Sequence, residues 1–184
     1  GDLSGREGEI PVRLTVHAKP KGPLPDKDNC VAAVKVQLDA IAKEMGVKTL
    51  VSEPPAAAFD MIEALCNEFE INLAVHNHPK HDNYAYWEPE GVLKVIDGRG
   101  KRVGACADTG HWVRSGLKPV DCLKKMEGRI ISLHLKDVGQ WGKPEARDVP
   151  LGTGLADYGA VLKELRRQGF QGVMGIEYEH DSPQ

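Results

Sequence analysis

Apolar positions along this chain gather into six short runs, and each run breaks off at a polar side chain. In order they are Val12-Arg-Leu-Thr-Val-His17, Lys48-Thr-Leu-Val-Ser-Glu53, Leu73-Ala-Val-His76-Asn-His78, Val103-Gly-Ala-Cys-Ala-Asp108, Ile130-Ile-Ser-Leu-His134-Leu-Lys136-Asp137 and Val173-Met-Gly-Ile-Glu177. Short, mostly uncharged runs of this kind predict strands that are buried on both faces of a parallel sheet. Between them, apolar residues recur every three or four positions, which predicts helices. Val31, Val34, Leu38, Ile41 and Met45 mark one, stopped by Gly46; Phe59, Ile62, Leu65, Cys66 and Phe69 mark the next. A short helix has Pro89 in its first turn, another opens at Pro119 and closes at Gly128, and a last one is capped by Asp157. That last helix is expected to turn Leu162 and Leu165 toward the core and to end at Gly169. Thr109-Gly110 reads as a helix-breaking pair, so Thr109 to Lys118 is expected to be a loop, and Asp137 to Ala156 is the longest stretch without a pattern.

The long connections follow strands and the short ones precede them. That asymmetry belongs to the (β/α)8 barrel, in which chemistry sits where the strands end. The expected fold class is therefore α/β, of TIM-barrel type, in one domain over residues 1–184 but incomplete, with six strand units instead of eight. An open doubly wound sheet is the alternative, but the glycine-rich phosphate fingerprint it would carry after its first strand is absent.

Composition narrows the partners. With 41% hydrophobic and 28% charged residues and a net charge of −3, the chain reads as an ordinary globular domain with no surplus of positive charge for nucleic acid or an anionic membrane. No apolar run approaches the roughly 20 residues of a membrane span, and the cytoplasmic location expected for the chain rests on its cysteines. Cys30, Cys66, Cys106 and Cys122 are scattered without a C-x-x-C pair and read as reduced, buried small hydrophobes.

The strand exits carry the candidate chemistry. Alternation along a strand puts His76 and His78 on one side, and likewise Ser132, His134 and Lys136. Four strands that each place a carboxylate or an imidazole at one rim provide what a metal site in a barrel mouth needs. Glu53, at a neighbouring strand end, is either a general base or a salt-bridge partner of Lys48 or of a neighbouring strand. Trp87, Trp112 and Tyr86 suit stacking on a ligand or packing as anchors.

Asp108-Thr-Gly-His111, with His134-Leu-Lys136-Asp137 and Ile176-Glu177 downstream, resembles the xylose-isomerase-like TIM-barrel superfamily and within it the sugar-phosphate isomerase/epimerase branch. The resemblance covers nearly the whole chain and aligns its six strands with the third to the eighth of the barrel. It implies one divalent metal held by His76, Asp108, His134 and Glu177. His76 stands where many relatives have a glutamate, which moves the expected preference toward Mn, Fe, Co or Zn and away from Mg. The implied activity is that of a metal-dependent sugar (phosphate) isomerase or epimerase working through a metal-stabilised enediolate. Glu177 and Glu53 are then the bases, His111 and Lys136 act on the reacting oxygens, and His78, Trp112, Trp87 and Asp148 join them around a small carbohydrate. A keto-sugar lyase or dehydratase would use the same chemistry, and a non-catalytic metal- or sugar-binding subunit is the other alternative. Endonuclease IV shares the superfamily, but Asp148-Val-Pro150 lacks the histidine of its Asp-x-His step, so phosphodiester cleavage is not expected. Six strands leave two open sheet edges, which predicts a homo-oligomer in which another copy covers them.

Overall fold

The computed structural model describes residues 46–179. Five strands lie side by side in chain order, every neighbouring pair parallel: β1 (Thr49–Ser52), β2 (Asn72–His76), β3 (Val103–Asp108), β4 (Ile130–Leu135) and β5 (Val173–Ile176). Between them run α1 (Phe59–Glu68), α2 (Pro89–Ile96), α3 (Thr109–Arg114), α4 (Pro119–Lys125) and α5 (Tyr158–Arg167), with a 3-10 turn at Ala56–Ala58 ahead of α1. Strand order equal to chain order means that each crossover moves the chain one place along the sheet, which is how a barrel wall is laid down. The result is a half-barrel, an incomplete (β/α)8 fold. The expected strand at Val12 to His17, the helix over Asn29 to Met45 and Cys30 lie outside the described residues.

Register divides the sheet into two faces. Leu73, Val75, Val103, Ala105, Ala107, Leu133 and Leu135 pack with Phe59, Val92, Ile96, Trp112, Leu123, Val161 and Leu165 in one core between strands and helices. Full burial of each valine, leucine, isoleucine or phenylalanine among them is worth about 1.5–3 kcal/mol. The alternate positions, Ala74, Gly104, Cys106 and Ser132, are small and fill the barrel interior beneath His76, Asp108 and His134. Gly104 is required there: a Cβ would stand 2.5 Å from the Arg129 carbonyl oxygen and 2.8 Å from the Ile131 side chain, beside the register shift at Ala105/Cys106.

Two expectations are corrected. Thr109–Arg114 is a helix, not a loop, because the Asp108 carboxylate accepts the His111 N–H at 2.8 Å and caps it. Gly110 does not break it; without a side chain it lets the helix rest on Lys136, whose Cγ would be 2.6 Å from a Cβ. On α5, Val161 and Leu165 are buried whereas Leu162 is 48% exposed, since a residue one step past Val161 is turned about 100° off the core face. Residues 137–156 are ordered by a single carboxylate: Asp137 accepts N–H groups from Val138, Gly152, Gly154 and Ala156 at 2.9–3.1 Å. Among the described residues, no helix is long and apolar enough to cross a membrane.

Candidate metal centre

The ends of β2, β3 and β4 and the residue after β5 bring four side chains together. One ligand-capable atom each from His76, Asp108, His134 and Glu177 lies within 4.8 Å of the others. His76 Nε2 and His134 Nδ1 stand 3.6 and 3.9 Å from Asp108 Oδ2, and His134 Nδ1 stands 2.9 Å from Glu177 Oε2. These four atoms are all buried, and none has a hydrogen-bond partner. Leaving a polar atom buried and unpaired costs about 1–3 kcal/mol. Two imidazole nitrogens and two carboxylate oxygens turned toward one point fit a divalent cation, which would satisfy all four at once.

The surroundings hold this set in place. Asn77 clamps the end of β3, its Oδ1 accepting the Asp108 N–H at 2.8 Å and its Nδ2 donating to the Asp108 carbonyl at 3.1 Å. The α3 cap occupies Asp108 Oδ1, which leaves Oδ2 for the cluster. Lys136, 1% exposed, places Nζ 3.9 Å from Asp108 Oδ2, 3.5 Å from Glu177 Oε2 and 2.7 Å from Glu179 Oε2. His78 Nε2 and Tyr84 OH bind the two oxygens of Glu53 at 2.7 and 2.6 Å. Glu53, His76 and His78 thus form an adjoining cluster, and Cys106 sits near His76 and His134 on the interior face.

Charge is distributed unevenly. Burial works against ionisation of Asp108, yet the His111 and His76 rings and the Lys136 ammonium hold its carboxyl well below the usual range. For Glu53 burial is likewise outweighed, by His76, His78 and Tyr84, and its carboxyl is also held well below the usual range. The His134 imidazole, followed by Lys136, brings Glu177 down to about 2 against the effect of burial. His76 goes the other way: burial opposes its protonation, but Asp108 and Glu53 push it up to about 9 in the metal-free chain. Burial lowers His111 to about 3, with Asp108 opposing and Lys136 assisting.

Not every expected residue reaches the cluster. His76, His78, Asp108, His111, His134, Lys136, Glu53 and Glu177 gather there. Trp112 does not; it is buried in the helix-side core, because α3 turns it away from His111, and no ring face is left for a sugar. Asp148 is taken up inside the protein, Oδ1 by Arg114 and Oδ2 by the Glu179 N–H, and so presents no free oxygen. Glu53 pairs with His76 and His78 at the end of the neighbouring strand and with Tyr84, not with Lys48. Trp87 is half-buried with Lys80 Nζ 4.4 Å over its ring, and the Tyr86 hydroxyl is bound to the Pro54 carbonyl. Residues not singled out from the sequence include Asn77, Tyr84, Arg114 and Glu179; of these only Asn77, between the two histidines at a strand exit, carried a readable signal.

A model of the xylose isomerase-like TIM barrel matches residues 31–184. The rhizopine catabolism protein MocC of Rhizobium meliloti is 30% identical over 139 residues, which is 68% of this chain and 42% of that protein. Inosose dehydratase of Clostridium botulinum is 29% identical over 145 residues, 68% of this chain and 46% of the dehydratase. The matched part is thus less than half the length of these curated relatives. Among solved structures, a D-tagatose 3-epimerase-like protein superposes with a TM-score of 0.69 at 20% identity, covering 82% of this chain and 62% of its own. The IolI protein with a bound zinc atom superposes at 0.66 and 18% identity, covering 84% and 63%.

Proposed function

The chain belongs to the xylose isomerase-like TIM barrel family, and from that premise we propose that it is a divalent-metal-dependent enzyme that removes the proton next to a carbonyl in a small carbohydrate. The observation that carries this reading is the set of four buried atoms of His76, Asp108, His134 and Glu177, which face one another at ion-pair distances and make no hydrogen bond. A divalent ion bound there supplies Lewis-acid polarisation of the carbonyl and its neighbouring hydroxyl. The mixed nitrogen and oxygen donors favour Mn, Fe, Co or Zn over Mg, and the zinc in IolI supports that choice.

The chain's own residues divide the remaining work. Glu177 and Glu53 follow the two outermost described strands, and both carboxyls are unprotonated at neutral pH, the form that a general base needs. Glu177, inside the cluster, is the base of first choice. Glu53, engaged by His78 and Tyr84, is the second. Lys136 offers positive charge to an oxygen that becomes anionic, and His78 and His111 border the same space.

One first step serves two outcomes. Returning the proton epimerises or isomerises the sugar, whereas expelling a hydroxyl from the next carbon dehydrates it. The D-tagatose 3-epimerase-like structure and the inosose dehydratase relative support one outcome each. The test is to incubate metal-loaded protein with a panel of ketoses and inososes in D₂O. Metal-dependent deuterium next to the carbonyl is expected, and the product, epimer or dehydrated sugar, assigns the class. No exchange with a full equivalent of metal bound would favour a binding subunit instead. We further propose that a second copy covers β5, where Val173, Met174 and Ile176 are exposed; a monomer in light scattering at micromolar concentration would refute this.

A further inference from the structure

Arg114 lies at the end of α3 and is 8% exposed, yet every arm of its guanidinium is engaged. Nη2 donates to Asp148 Oδ1 at 2.6 Å, Nε donates to the Ala146 carbonyl at 2.9 Å, and Nη1 stands 3.0 Å from His111 Nδ1. Asp148 is itself held, its Oδ2 accepting the Glu179 N–H at 2.7 Å. The guanidinium is therefore fixed from the loop after β4 and from the segment after β5.

A guanidinium has five donors and no acceptor, so the 3.0 Å contact is a hydrogen bond only if His111 Nδ1 accepts it. A neutral imidazole that accepts at Nδ1 carries its one hydrogen on Nε2. That Nε2 faces the metal cluster, 3.7 Å from Asp108 Oδ2, which is too far for a hydrogen bond between them. The His78 ring, stacked with centroids 4.9 Å apart and planes at 25°, limits rotation of the His111 ring.

We propose that Arg114, held by Asp148, is a positioning residue that locks His111 in the Nε2–H tautomer, so that His111 presents an uncharged N–H donor to a substrate oxygen beside the metal cluster. His111 then stabilises negative charge on a carbonyl or alkoxide oxygen without taking its proton, and proton abstraction is left to a carboxylate. What His111 meets rests on the function proposed above. The lock itself belongs to the metal-free chain.

The experiment is long-range proton–nitrogen correlation NMR of the ¹⁵N-labelled full chain, first metal-free and then loaded with Zn²⁺. The His111 signals are identified by their absence in His111→Gln. The expected result is an unprotonated Nδ1 and a protonated Nε2 in both states at neutral pH. Arg114→Lys keeps a cation opposite Asp148, but one ammonium cannot span both Asp148 and His111. In that variant His111 is expected to relax to a mixture of tautomers while far-UV circular dichroism stays unchanged. A protonated Nδ1 in the parent overturns the proposal outright, even if Arg114→Lys fails to fold. Parent-like His111 shifts in folded Arg114→Lys overturn the role of Arg114. If Zn²⁺ leaves the signals of His76 and His134 unmoved while His111 remains Nε2–H, the metal reading fails and the lock stands; the reverse pattern removes only the lock.

Discussion

β3 and β5 each deliver a carboxylate to the same cluster, but from opposite surroundings. β3 is buried along its whole length, packed by helices on one face and by the small-residue interior on the other. At its end Asp108 is gripped by Asn77 and by the α3 cap. β5 pairs with β4 alone among the described strands, and Val173, Met174 and Ile176 stand open. Glu177 is tied there by its N–H to the Leu135 carbonyl at 3.0 Å and by its contacts with His134 and Lys136. The difference teaches that the cluster has one half held by buried hydrogen bonds and one half held at an exposed strand. A cation would bind the edge to the centre.

The sharpest way to break this comparison is to crowd each strand. Gly104→Val drives a side chain into the Arg129 carbonyl and is expected to cost about 3 kcal/mol or more in urea unfolding. Ile176→Thr, at a position 71% exposed, is expected to stay within about 0.5 kcal/mol. Equal costs would mean that the edge is as tightly packed as the centre.

A second difference appears with pH. His76, pushed up to about 9 from 6.5, binds its proton more tightly in the folded metal-free chain than in the unfolded one. That contribution is fully present below pH 6.5 and is lost as pH rises through 9, by linkage on the order of 3 kcal/mol. Glu177, at about 2 against 4.5, adds stability that is fully present above pH 4.5 and is lost as pH falls through 2. Thermal unfolding of metal-free protein is therefore expected to shift to lower temperature between pH 6.5 and 9. Metal-loaded protein should resist that shift, because a cation at Nε2 displaces the proton and binds better as pH rises. A flat metal-free profile contradicts the geometry around His76.

Smaller effects separate the two carboxylates. Asp108→Ala is expected to weaken Zn²⁺ binding in calorimetry about 100-fold, or ~3 kcal/mol, and Glu177→Ala about 10-fold, since an exposed edge admits water in place of the lost ligand. Last, metal should slow hydrogen exchange of the Glu177 amide about 10-fold and leave the already protected β3 amides unchanged. Protection gained equally on both strands would erase the distinction.

The strand exits are legible in the sequence for a physical reason. A strand buried on both faces tolerates a charged group only where it leaves the core, so the break from apolar to polar marks the rim, as at Asp108 and His134. The α3 helix is not legible, because Thr-Gly opposes a helix until the Asp108 cap and the contact with Lys136 are both known. Arg114 and Asp148 are 34 residues apart, and neither lies in a periodic pattern that would bring them together. Nor does periodicity distinguish Trp112 in the core from half-buried Trp87, since an aromatic beside a loop suits either place.

Zinc-edge X-ray absorption of the full chain loaded with Zn²⁺ tests the central claim most directly, namely that His76, Asp108, His134 and Glu177 form one metal centre. The account predicts one equivalent of zinc with two imidazoles and carboxylate oxygens around it, and one imidazole fewer in His76→Ala. A zinc shell of water oxygens alone, or a His76→Ala spectrum identical to that of the parent, would contradict it.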